Sequence, residues 1–360
     1  MNKMVIWAGR EFHEEPGKIR VVSDEDVYNT LSMRKVLEIC EDVLRWLGTG
    51  KIEQRFVPSF RTATGLERGC FLLPHPCWVK PLGVVGNKVS GASNINPGLG
   101  LRGSQGVVII REDDTAIPFA IVDSGTVTSI RTAGHAGVGA KYLAKKDSSI
   151  ISIIGAGDQG RSHLAAMNEL FDLKEVKVYD VYKEAMEKYL HEAQEKYPGL
   201  TVQLYDNAKD AVTNTDIICA TAKVDKPGPV KEEWIEPGVH VCMIGGGVET
   251  KFLTKADKWV LGLRENDLDA FISGATLVSD FKEAGATASL WFEKGALELP
   301  DIVLERRPGR ETEEERTAVY HSGMGAWDIP VAYEAYKLAK EQGLGTVVAL
   351  YHPKPYTTLK

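Results

Sequence analysis

Apolar positions along this chain follow two different rhythms. Between residues 24 and 47, Leu37, Cys40, Val43, Leu44 and Leu47 recur at helical spacing, after Leu31 and Val36. Ser23 or Asp24 is placed to cap that helix, and Gly48 and Gly50 to end it. From Arg55 to Val122 the pattern changes to short apolar runs broken by Gly and Pro. Examples are Cys70-Phe71-Leu72-Leu73, Gly83-Val84-Val85, Val107-Val108-Ile109-Ile110 and Phe119-Ala120-Ile121-Val122, with Asp113 and Asp114 marking a hairpin turn between the last two. This front portion reads as an α+β domain of mostly antiparallel strands. A connecting helix is predicted over 127–144. From Ser149 onward strands at 150–154, 176–179, 202–204, 217–220 and 239–244 alternate with helices, of which 183–197 is the clearest. Such alternation predicts a parallel, doubly wound sheet of the Rossmann type, so the fold class is α/β with an additional α+β domain. A last helix over 329–341 is expected to pack back on the front domain. Two domains are therefore expected: residues 1–131 rejoined by 329–360, and residues 132–328.

The start of the alternating region carries chemistry. The run Ile150-Ile151-Ser152-Ile153-Ile154 flows into Gly155-Ala156-Gly157-Asp158-Gln159-Gly160, a helical pattern follows, and the next apolar run ends on Asp180. With 35 glycines in 360 residues, a bare G-x-G-x-x-G is weak evidence. Here a strand precedes it, a helix follows, and an acid stands about 20 residues beyond the last glycine, the context of a dinucleotide site. The glycines allow a tight turn and close approach to a pyrophosphate, and the helix N-terminus supplies unpaired N–H groups. Asp180 would accept hydrogen bonds from ribose hydroxyls and repel a 2′-phosphate, which favours NAD over NADP. Fold logic adds Thr221 and Ala222 at the end of the fourth strand, and Gly245 and Gly246 at the end of the fifth, as further cofactor contacts.

Composition narrows the function classes. Apolar residues make up 43% and charged residues 26%, as in an ordinary globular protein. A net charge of −7 argues against a nucleic-acid or anionic-membrane surface. No apolar run reaches the ~18 residues of a membrane span, and Glu11, Glu14 and Glu15 come too early for a secretory leader. A cytoplasmic location is expected. Cys40, Cys70, Cys77, Cys219 and Cys242 lack C-x-x-C pairing and are expected as buried free thiols. The histidines show no metal-ligand spacing, and no metal is expected.

Several motifs together resemble the ornithine cyclodeaminase/mu-crystallin family. They are Ser129-Ile130-Arg131-Thr132-Ala133-Gly134, then Lys141-Tyr142-Leu143-Ala144 and the glycine fingerprint; Asn87-Lys88-Val89 after Leu72-Leu73-Pro74; and the C-terminal Ser322-Gly323-Met324-Gly325-Ala326-Trp327-Asp328. The likeness runs from about Val22 to Val348 in the family's order. It implies a homodimer with an N-terminal substrate and dimerisation domain, a Rossmann domain, and a cleft between them. It also implies hydride transfer to or from the α-carbon of an amino acid or its imine. The resemblance carries three basic residues, Arg61, Lys88 and Arg131, onto the substrate carboxylate. The chemistry suits them, because a carboxylate shielded from water needs charge-assisted donors and arginine's planar fork can hold both oxygens. Clamping the carboxylate fixes the α-carbon hydrogen for transfer. Lys88 has a second candidate role as proton donor or polarising cation at the reacting nitrogen or oxygen.

The chain departs from the cyclodeaminase pattern at two acids. Gly247 stands where cyclodeaminases place the aspartate of a Gly-Gly-Asp run, with Glu249 two residues on, and Phe71 stands where they place a glutamate. Losing both shifts the expected substrate away from a diamino acid, toward one with an apolar, neutral or acidic side chain. His135, one helical turn after Arg131, is a candidate general acid or else an ordinary packed histidine. The Ser322–Asp328 run either returns to the cleft or is structural. The expected function is an NAD(H)-dependent amino-acid dehydrogenase or imine reductase. The alternatives are a true cyclodeaminase with catalytic NAD, and a mu-crystallin-like ligand-binding protein.

Overall fold

The computed structural model describes residues 4–7, 9–55, 57, 60–61, 71–93, 95–222, 228–244, 247–249, 251–264, 267, 296–320 and 322–352. The chain divides into two compact units. One comprises Met1–Ile39, Thr49–Arg131 and Met324–Lys360; the other comprises Cys40–Gly48 and Thr132–Gly323.

The first unit is built on an eight-stranded mixed sheet. Its strands run in the order Thr346–Ala349, Lys18–Val22, Pro118–Asp123, Ser104–Glu112, Val84–Ala92, Phe71–Val79 and Ile52–Gln54, with Phe60–Arg61 pairing beside Phe71–Val79. All these pairings are antiparallel except that of Lys18–Val22 with Pro118–Asp123. Strand periodicity sends Val84, Gly86, Lys88 and Ser90 to the buried face, alongside Cys77, Val79, Val108 and Ile110. The helix Gly325–Glu341 covers that face, burying Trp327, Ile329, Val331 and Tyr336 completely. Each such side chain contributes roughly 1.5–3 kcal/mol by leaving water. Two glycines let the helix approach: a Cβ on Gly86 would lie 2.6 Å from Ile329 Cδ1, and one on Gly325 would lie 2.7 Å from both Cys77 Cβ and the His75 carbonyl oxygen. The helix begins at Gly325 rather than at residue 329, so the whole Gly-Ala-Trp-Asp run belongs to its first turn.

The helix expected over residues 24–47 is two helices, Asp24–Thr30 and Met33–Gly48. Ser23 and Asp26 form a reciprocal capping box at the first. Leu31 then turns extended, and the Ser32 hydroxyl accepts from the Lys35 N–H at 3.3 Å, so a serine that competes for local backbone bonds starts a new helix. Apolar periodicity does not see such a break.

The second unit holds an eight-stranded sheet that is parallel at every described pairing. Its order is Thr201–Leu204, Glu175–Tyr179, Ile150–Ile154, Ile217–Ala220, His240–Met243, Thr317–Tyr320, Lys258–Leu261 and Leu297–Glu298. The inner strands read as continuous apolar runs because helices cover both faces of a parallel sheet. Ile151, Ile153, Val176, Val178, Ile217 and Ile218 are all fully buried. Strand order reverses between Ile150–Ile154 and Ile217–Ala220, and ligands of such sheets bind at the carboxyl ends there. Cys40, Cys77, Cys219 and Cys242 are buried and in no disulfide, while Cys70 lies outside the described residues. No described helix is long and apolar enough to cross a membrane.

Candidate functional site

In the second unit the three glycines of the fingerprint meet three different demands. Gly155 has φ +112°, in the region that favours glycine, and a Cβ there would lie 2.6 Å from the Ala222 nitrogen. Gly160 packs its helix onto the strand, since a Cβ would lie 2.3 Å from the Gly155 carbonyl oxygen and 2.9 Å from Ile153 Cγ2. Gly157 differs: a Cβ there meets nothing within 4 Å, so open space lies over the start of the helix Asp158–Leu170. Gly157 is the N-cap residue and offers no side-chain capping bond, which leaves the helix-start N–H groups for an anion. Asp158 and Gln159 form the first turn, Asp158 exposed and Gln159 half-buried. The Thr221 hydroxyl donates to the Gly155 carbonyl at 2.9 Å and so ties the fourth strand's end to the loop. Asp180 accepts from the Ala156 N–H at 2.8 Å and the Tyr182 N–H at 3.0 Å. Each carboxylate oxygen keeps a further lone pair with which to accept a ribose hydroxyl. These features fit a dinucleotide. Gly245 and Gly246 lie outside the described residues.

The first unit brings together a group that the sequence only half disclosed. Lys88, on the buried face of Val84–Ala92, places Nζ 2.8 Å from Asp328 Oδ2. Arg131, from the helix Ser124–Leu143, donates through Nε to Asp328 Oδ1 at 2.8 Å. His75 lies directly across the strand pairing from Lys88, with Nδ1 3.3 Å from Asp328 Oδ2. The Thr128 hydroxyl is 3.5 Å from Lys88 Nζ. Lys88 and Arg131 are each 3% exposed, His75 8% and Asp328 0%, so all four charges or dipoles act with little water between them. Arg61 ends a short strand beside Phe71–Val79, but its side chain and that of Phe71 lie outside the described residues.

Burial and charge pull against each other in this cluster. Burial pushes Lys88 down to about 8, and Arg131 adds to that, while Asp328 opposes it. Asp328 is driven far below the usual carboxylate range because the cations of Arg131 and Lys88 outweigh its own desolvation. Burial also lowers His75 despite its bond to Asp328. At neutral pH the cluster therefore holds two cations and one anion beside a neutral imidazole. One positive charge remains for an incoming anion to match.

Sequence reasoning did not assign His75, and it carried Asp328 only as the end of a run that either returns to the cleft or is structural. A signal existed for both. His75 shares strand parity with the buried Cys77 and Val79, and Asp328 interrupts a helix that is buried on all sides from Gly325 to Tyr333. A polar side chain at such a position is paired in nearly every protein. Glu249, considered as a replacement for the missing acid at Gly247, spends Oε2 on the Glu232 N–H at 3.0 Å. Gly247 itself has φ +88°, and a Cβ there would lie 3.0 Å from Ala220 Cβ, so the loop is shaped for glycine. His135 is fully buried in its helix.

The sequence pattern of the ornithine cyclodeaminase/mu-crystallin family matches residues 18–343. The chain belongs to that family. Among family relatives, an alanine dehydrogenase of Archaeoglobus fulgidus is 27% identical over 340 residues, covering 92% of this chain and 98% of its own. The Δ1-pyrroline-2-carboxylate reductase of Thermococcus litoralis, solved with NADH and L-proline, gives a TM-score of 0.82 at 26% identity, covering 91% of this chain and 99% of that one. An archaeal alanine dehydrogenase dimer with bound NAD gives 0.77 at 26% identity, covering 93% of this chain and all (100%) of that one.

Proposed function

We propose that the protein is an NAD(H)-dependent oxidoreductase acting at the α C–N bond of an amino acid or its imine. The observation that carries this reading is the buried pair Lys88 and Arg131 sharing a single carboxylate, Asp328. Two buried cations with one anion are costly to maintain unless a ligand anion completes the set, and a substrate carboxylate does so. Holding that carboxylate fixes the direction of the α-carbon hydrogen. In the oxidative direction the α-carbon gives up a hydride and the ammonium a proton, leaving an iminium acid. NAD, held by the glycine loop and Asp180, supplies the hydride acceptor, and NADH the donor in reverse. Lys88, with its proton affinity near 8, is suited to give the nitrogen its proton in the reductive direction, and in the oxidative direction its neutral form, which grows as pH rises toward 8, takes that proton. Arg61 is assigned to the same carboxylate by the family's motif, and Thr221, Ala222, Gly245 and Gly246 to the cofactor.

The commitment of Glu249 to the Glu232 N–H and the glycine geometry at 247 favour net oxidoreduction over cyclodeamination, which uses an acid at that position. A panel of amino acids and keto acids with NAD(H) and NADP(H) tests the choice. Absorbance at 340 nm should change steadily with turnover, and product mass should show an imine, keto acid or reduced amine. Ring-closed product with no net NADH would instead establish a cyclodeaminase.

The reading includes a homodimer in the cytoplasm. The sheet face turned away from the helix Gly325–Glu341 carries Leu72, Trp78, Val107 and Val21 at 46%, 39%, 38% and 36% exposure, an apolar area that a second copy would cover. A Val107→Lys and Leu72→Lys double variant should sediment as a monomer.

A further inference from the structure

Asp328 holds its two cations in an unusual way. Arginine and a carboxylate prefer a two-pronged pairing in which both oxygens face one guanidinium. Asp328 is instead divided: Oδ1 meets Arg131 Nε, and Oδ2 meets Lys88 Nζ, each at 2.8 Å. A third donor sits on the Lys88 side, His75 Nδ1 at 3.3 Å from Oδ2. An ionised carboxylate can only accept, so Nδ1 must carry the proton of the neutral ring. The position of His75 is set firmly, since it pairs in register with Lys88 and its carbonyl abuts Gly325, three residues before Asp328.

We propose that His75 is a positioning residue for the carboxylate anchor: by giving Nδ1–H to Asp328 Oδ2 it keeps the aspartate bridged between Arg131 and Lys88. Without that bond the aspartate turns to a two-pronged grip on Arg131. Lys88 then loses its counter-ion in a buried position and gives up its proton more readily. The anchor would fall from two cations toward one at neutral pH, and its hold on a substrate carboxylate would weaken. Among the described residues, the groups acting on His75 are Asp328 on the C-terminal helix, Lys88 on the neighbouring strand and Arg131 on the Ser124–Leu143 helix, while the Cys77 thiol lies two residues on along its own strand. Burial and Asp328 push that thiol well above its ordinary range, so it stays neutral. Burial and the two cations lower the His75 proton affinity, which keeps the imidazole neutral and its Nδ1–H directed at Asp328. The inference rests on the proposed carboxylate-binding role for its link to turnover, but its physical core does not.

The test uses His75→Leu, His75→Asn and His75→Gln in the full-length protein. The asparagine amide N–H reaches the place of Nδ1–H, whereas that of glutamine falls nearer Nε2. Protein labelled with [ε-13C]lysine is titrated by NMR, the Lys88 signal being identified by its loss in Lys88→Arg. Lys88 should titrate near pH 8 in the parent and in His75→Asn. In His75→Leu and His75→Gln its proton affinity should fall at least about tenfold, the low end of what losing a neighbouring carboxylate does. The KM for L-alanine or L-proline oxidation, whichever is turned over, should rise in the same two variants while NADH binding holds. An unchanged Lys88 midpoint in folded His75→Leu, or equal midpoints in the Asn and Gln variants, overturns the proposal. If neither amino acid is oxidised, the function reading is in question, while the Lys88 titration still decides this one.

Discussion

Replacing Asp328 with asparagine tests the energetics of the anchor. The substitution keeps the side chain's size but leaves Lys88 and Arg131, each 3% exposed, without their shared anion. Breaking a buried ion pair from one side costs about 3–5 kcal/mol. The protein can relieve part of that by releasing the Lys88 proton, and this gives the loss a pH signature. Lys88 in the parent loses its proton near pH 8, against 10.5 ordinarily. Between those values the unfolded chain holds one proton more than the folded one, so parent stability rises with pH across that window. Removing a nearby opposite charge lowers a lysine by about 1–3 pH units, so in Asp328→Asn the window opens below pH 7. The variant then gains about 1.4 kcal/mol per pH unit while the parent gains little. Its deficit should narrow by about 1 kcal/mol between pH 7 and 8 and by only about 0.3 kcal/mol more by pH 9. Urea unfolding at pH 7, 8 and 9 measures this. A deficit below about 1 kcal/mol at pH 7, or one identical at pH 7 and 8, would refute the buried-pair account.

Further outcomes follow from other parts of the molecule. Gly157→Ala should leave the melting temperature nearly unchanged, because the added methyl meets nothing within 4 Å. It should still raise the NAD Kd about tenfold, or ~1.4 kcal/mol, by intruding on the pyrophosphate; an unaltered Kd in a fluorescence titration removes the loop from the cofactor site. Asp180→Ser should shift the ratio of kcat/KM for NADP over NAD upward by about tenfold or more, and a fixed ratio would take Asp180 away from the ribose. Burial lowers His163 to about 4 and His240 to about 3. Both are neutral in the fold and protonate near pH 6.5 when unfolded. Stability is therefore complete above about pH 6.5 and lost as pH falls toward 4, His163 alone accounting for about 3 kcal/mol. His163→Gln should flatten that acid slope, and an equally steep slope would contradict its burial as a neutral ring.

The Rossmann strands were legible because buried parallel strands advertise themselves: residues 150–154 and 217–220 were read with the bounds the structure has. The glycine fingerprint was legible for a related reason, since backbone constraints at Gly155 and Gly160 dictate residue type directly. The break at Leu31-Ser32 was hidden, because a helix interruption written in one serine's hydrogen bond leaves apolar spacing intact. Lys88 and Arg131 stood out through motifs. Asp328 closed a motif too, but its pairing with them was hidden, since it is more than 190 positions from either and only the packing of the C-terminal helix at Gly86 and Gly325 brings it to them. Strand parity would have exposed His75, had the strand been recognised as running from 71 to 79 rather than ending at Pro74.

The central claim is that Lys88 and Arg131 receive a substrate carboxylate while the glycine loop holds NAD. A crystal structure with NADH and the amino acid or imino acid found by the panel tests it most directly. The account predicts carboxylate oxygens within about 2.7–3.2 Å of Lys88 Nζ and the Arg131 guanidinium, with the α-carbon against the nicotinamide. A substrate bound elsewhere, with Lys88 and Arg131 still paired only to Asp328, would contradict it.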